Sequence, residues 1–66
     1  MTIDPITFVD QSSGDDACVL VRVVGGAVGL ALSLRRSGDL EVLMQADELD
    51  QLIAALQRAR SALRAG

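Results

Sequence analysis

The chain has 66 residues, a net charge of −3 and no histidine. That length allows one small domain, which buries only about 60% of the surface its unfolded chain exposes. The acidic balance repels phosphate backbones. The lone cysteine, Cys18, excludes an internal disulfide and, without histidine, a closed zinc sphere.

The first apolar segment carries Ile3, Ile6, Phe8 and Val9 around Pro5. Proline has no N–H to give to a ladder, so residues 3–9 read as an edge strand or as one starting after Pro5. Asp10–Asp16 is polar, holds Ser12-Ser13-Gly14 and reads as a loop. Residues 17–24 are rich in β-branched side chains and read as a strand. Gly25-Gly26 then supplies two residues that tolerate positive φ, as a tight hairpin turn requires. Strict alternation of Val28, Leu30, Leu32 and Leu34 with smaller residues predicts a strand over 27–36. Across the turn, Val19, Val21 and Val23 meet Leu32, Leu30 and Val28.

Ser37-Gly38-Asp39 marks the next reversal, leading into a strand over 40–45. A three-residue loop there sets Leu34 opposite Val42, Leu32 opposite Met44 and Arg35 opposite Glu41. That register keeps Val42 and Met44 with the Val/Leu stripe and puts opposite charges face to face. From Ala46 the period changes. Leu49, Leu52, Ile53, Leu56 and Leu63 share one helical stripe, which predicts a helix over 46–64. Gln45 or Asp47 could cap its start, and Gln45 with Glu48 has capping-box spacing. Asp47, Glu48 and Asp50 near the start, with Arg58, Arg60 and Arg64 near the end, suit the helix dipole. Gly66 sits where a C-terminal cap belongs.

The predicted fold is α+β: an antiparallel β-meander of three to four strands, then one C-terminal α-helix packed on one sheet face. It is one domain over residues 1–66. The helix stripe should cover the face that carries Val19, Val21, Val23, Leu30 and Leu32. Cys18, Leu20, Arg22, Val24, Ala27, Gly29, Ala31, Ser33 and Leu43 point the other way. A solvated sheet face is normally richer in Thr, Lys, Glu and Gln. This small, apolar face therefore predicts an interface with a second copy, packed sheet to sheet or sharing strands about a two-fold axis. Arg22 is the charge on it, expected to pair with an acid across the interface or to lie over small neighbours.

No motif carries chemistry. Gly25–Gly29 lacks the Lys-Ser/Thr of a P-loop and the glycine spacing of a dinucleotide site, and no helix follows it. The apolar stretch from Ala17 to Leu34 could be read as a membrane span, but Arg22 inside it would cost about 2.5–3.5 kcal/mol near a bilayer centre. Cys18 has no histidine to serve as its base, so it reads as a packed thiol. Asp15-Asp16 lacks calcium-loop spacing, and the acids at the helix start are explained by the dipole. The C-terminal arginines have no aromatic platform beside them.

These features predict a non-catalytic protein that needs no cofactor and no metal. Its partner is a second copy, in a homodimer or a higher homo-oligomer, and it serves as a protein–protein interaction or adaptor module. The alternative is a regulatory companion, antitoxin-like or partnering a transcription regulator, that binds one larger protein. Charge argues against nucleic acid, and Arg22 argues against a membrane. The absence of a basic segment followed by a long apolar stretch near Met1, and the unpaired Cys18, point to a cytoplasm.

Overall fold

A computed structural model describes every residue from Met1 to Gly66. Four strands, β1 (Thr2–Val9), β2 (Asp16–Val24), β3 (Ala27–Leu34) and β4 (Gly38–Met44), form one antiparallel sheet in the order β1-β2-β3-β4. Helix α1 (Ala46–Ala65) follows and packs on the sheet along β3 and β4.

The central hairpin has the expected register: Val19 pairs with Leu32, Val21 with Leu30 and Val23 with Val28. Of the two turn glycines only Gly25 takes a positive φ, +58°. Positive φ at the first central position alone is the type II′ pattern, whose twist matches the flanking strands. β1 is an edge strand. Its ladder with β2 is regular except between Ile3 and Ile6, where Asp4 and Pro5 bulge against Leu20. The bulge absorbs the missing proline N–H without ending the strand. The Met1 amino group donates to the Val23 carbonyl, and the Val23 amide donates back to the Met1 carbonyl, so pairing runs on past Thr2.

The β3–β4 register differs from expectation. Leu34 lies opposite Gly38, Leu32 opposite Leu40 and Val28 opposite Met44. The reversal is Arg35–Ser37, two residues earlier than Ser37-Gly38-Asp39, so β3 ends at Leu34 rather than residue 36 and β4 starts at Gly38 rather than residue 40. The cause is local and long-range together. The Ser37 amide donates to the Leu34 carbonyl, and Gly38 then takes φ +89°, a conformation other residues resist. Asp15 and Asp16 hold the turn from the opposite hairpin. The Arg36 amide donates to Asp15 Oδ2 at 2.8 Å, and the Arg35 amide donates to the Asp16 carbonyl at 3.0 Å. In consequence Arg35 meets Asp16, at 3.3 Å, and not Glu41.

Gln45 is the N-cap of α1, and its amide donates to Glu48 Oε1 at 3.1 Å. The Gly66 amide donates to the Ala62 carbonyl and closes the other end. The helix covers little of the sheet. Met44, on the valine–leucine face, is half-buried, whereas Leu43 on the other face is 61% exposed, so α1 lies over the former. Leu49 and Leu52 are half-buried there, while Ile53, Leu56 and Leu63 on the same stripe stay exposed. No hydrophobic side chain in the chain is buried; Asp15 and Gly29 are the only buried residues.

The loop from Asp10 to Asp15 is closed by its own side chains. Asp10 Oδ2 accepts from the amide and the hydroxyl of Ser13, and Asp15 Oδ1 accepts from the Asp16 amide. Asp15→Ala strands the amides of Arg36 and Asp16 and should cost about 1–3 kcal/mol, with Asp15→Asn intermediate, in urea unfolding at fixed protein concentration. The Ser13 bonds hold the Asp10 carboxyl below its ordinary value of 3.8. Ionised Asp10 therefore favours the folded loop above that pH, and the benefit is lost as pH falls through the lowered value. The Ser13 amide resonance should titrate with an inflection below pH 3.8; an inflection at or above it contradicts the assignment.

Candidate interaction surface

The pairing puts all nine expected interface residues on one face of the sheet. Cys18 is opposite Ser33, Leu20 opposite Ala31, Arg22 opposite Gly29 and Val24 opposite Ala27, with Leu43 beside Gly29 on β4. Thr2 and Thr7 of β1 join them, as do Asp39 and Glu41 of β4. Of the nine, Val24 and Leu43 are exposed, Gly29 is buried and the others are half-buried.

Arg22 makes its specific contact within the chain. It reaches across β3 to Glu41, with Nε donating to Oε2 at 2.9 Å and Nη2 to Oε1 at 2.6 Å. The two-point geometry suits a planar guanidinium and a carboxylate. Glu41's hydrogen bonds, and then its charge, push the Arg22 pKa up from its already high value. Gly29 lies beneath the pair. A Cβ there would sit 2.9 Å from Glu41 Oε2 and 3.2 Å from Leu43 Cδ2. The absence of a side chain on β3 is what lets the bridge lie flat on the sheet. Further along, the Ser33 hydroxyl donates to Asp39 Oδ1 at 2.6 Å. This face is thus crossed by two polar links to β4, one from β2 and one from β3. Both links depend on the β3–β4 register, which sets Asp39 opposite Ser33 and Glu41 opposite Ala31.

The opposite face has no such links. Its exposed apolar residues include Ile3, Ile6 and Phe8 of β1, Leu32 of β3, and Leu40 and Val42 of β4. The expectation that the helix stripe would cover this face holds only near β3 and β4.

Cys18 is a free, half-buried thiol, and no three His, Cys, Asp or Glu side chains converge as a metal site. Asp15 spends one oxygen on each of two backbone amides. The stretch from Ala17 to Leu34 is a β-hairpin, and no helix is long and apolar enough to cross a membrane. Comparison with protein-family models, with curated proteins and with solved structures finds no match to this chain.

Gly29→Ala should displace the Glu41 carboxylate and release Arg22, as Glu41→Gln does by removing its charge. Both variants should lose the slow solvent exchange of the Arg22 Nε–H in NMR spectra. Retention of that protected proton in Gly29→Ala contradicts the close approach at Gly29.

Proposed function

We propose that this chain is a non-catalytic interaction module that works as a homo-oligomer, a dimer or a higher assembly, in a cytoplasm. The observation that carries the reading is the absence of any buried hydrophobic side chain in the isolated chain, half of whose residues are hydrophobic. Small chains are commonly stapled by a disulfide, a metal or association; this one has a single cysteine and no converging group of metal ligands, which favours association. Supporting the non-catalytic reading, the chain has no histidine and no tyrosine to move protons beside a nucleophile.

The second reading, a regulatory companion of one larger protein, is favoured by the open edge of β4. That strand has no proline, and Leu40, Val42 and Leu43 on it are exposed. A strand from a larger protein could add there.

Light scattering separates the two. The first reading expects a folded species of at least twice 6.9 kDa at micromolar concentration, with a melting temperature that rises with protein concentration. A chain that stays monomeric and unfolded alone favours the companion. A well-folded monomer contradicts the first reading.

A further inference from the structure

The structure assigns the self-association surface to the valine–leucine face and the outer stripe of α1, with a second copy of the chain as its occupant; this rests on the homo-oligomeric reading above. The small-residue face is then left outward.

Area and shape require a large partner surface. A compact 6.9 kDa monomer exposes about 4,000 Å², whereas this chain exposes 5295 Å². Its radius of gyration is 13.3 Å, against about 11 Å for a compact domain of this length. The excess is about 1,300 Å² per chain, or about 2,600 Å² for a pair, which is the size class of permanent homodimers. A transient contact needs less.

The location of the uncovered apolar residues selects the face. α1 meets only β3 and β4, so nothing in the chain lies over Ile3, Ile6 and Phe8 on β1. Ile6 is 59% exposed and Leu56, on the free part of the helix stripe, 60%. One chain therefore offers an open, apolar half-sheet and an unsatisfied helix stripe whose one charge is Arg60, between Leu56 and Leu63, with a long side chain that can carry its guanidinium to the rim. Two copies about a two-fold axis can each lay the helix stripe on the other's β1–β2 half-sheet, so that each patch meets its complement and the assembly closes. The other face differs. Its middle is occupied by the Arg22–Glu41 bridge and the Ser33–Asp39 bond, which already satisfy one another. Packing a second sheet there would remove a charged pair from water for little apolar gain.

The test compares Ile6→Glu and Leu56→Glu with Ala31→Glu in sedimentation equilibrium and circular dichroism. The first two should weaken dimerisation at least about 30-fold, the size of a hot-spot loss. Ala31→Glu should remain dimeric. Because a monomer released by these changes can unfold, carbene footprinting of the wild-type dimer provides a second readout. Ile6, Phe8 and Leu56 should be protected, and Val24 and Leu43 labelled. Dissociation by Ala31→Glu alone, or protection of Val24 and Leu43 in place of Ile6 and Leu56, overturns the choice of face and leaves self-association standing. A folded wild-type monomer overturns both.

Discussion

A four-stranded sheet has two faces, and one helix of 20 residues can cover part of one of them. Everything else in this molecule follows from that shortage of cover. Each large aliphatic or aromatic side chain contributes roughly 1.5–3 kcal/mol on full burial, yet ordering the backbone opposes folding by roughly 1–2 kcal/mol per residue. Here no such side chain reaches full burial within the chain. The backbone ladders and the loop hydrogen bonds define a shape, but they do not supply the missing hydrophobic term. In the proposed assembly a second copy supplies that layer.

The two faces meet this shortage differently. On one, small residues leave room for a side chain from each neighbouring strand. Gly29 gives Glu41 its path to Arg22. A row of glycine, alanine and serine in a strand invites the idea of a second sheet pressed close, but here the space over the glycine is taken by the chain's own ion pair. On the other face the side chains are large and branched, and nothing polar interrupts them from β1 to β4. That continuity is why the proposed assembly covers this face.

Much of this architecture is legible in the residues. Period-two alternation around Gly25-Gly26 specifies the β2–β3 register, because a slip of one residue would send every valine to the wrong side. Pro5 marks the edge strand, and the stripe from Leu49 to Leu63 marks the helix. The β3–β4 register is another matter. Pairing Leu34 with Val42 or with Gly38 keeps Val42 and Met44 on the same face, so hydrophobic pattern cannot choose between them. Opposite charges at Arg35 and Glu41 pointed to the first. The second prevails because Gly38 can take the positive φ and because Asp15, distant in sequence, receives the Arg36 amide. It also puts Leu40 opposite Leu32, which the first would have set against Arg36. The partner of Arg22 depends on this register, and so was not legible. Nor was the limited reach of the helix, since a stripe on a helical wheel says which side is apolar and not what it touches.

Concentration dependence of unfolding tests the central claim most directly. If a second copy completes the hydrophobic layer, folding and association are one event. The urea midpoint should then rise steadily as protein concentration is raised a hundredfold, with a single transition seen by circular dichroism and by light scattering. A cooperative transition whose midpoint ignores concentration, from a species the mass of one chain, would contradict it.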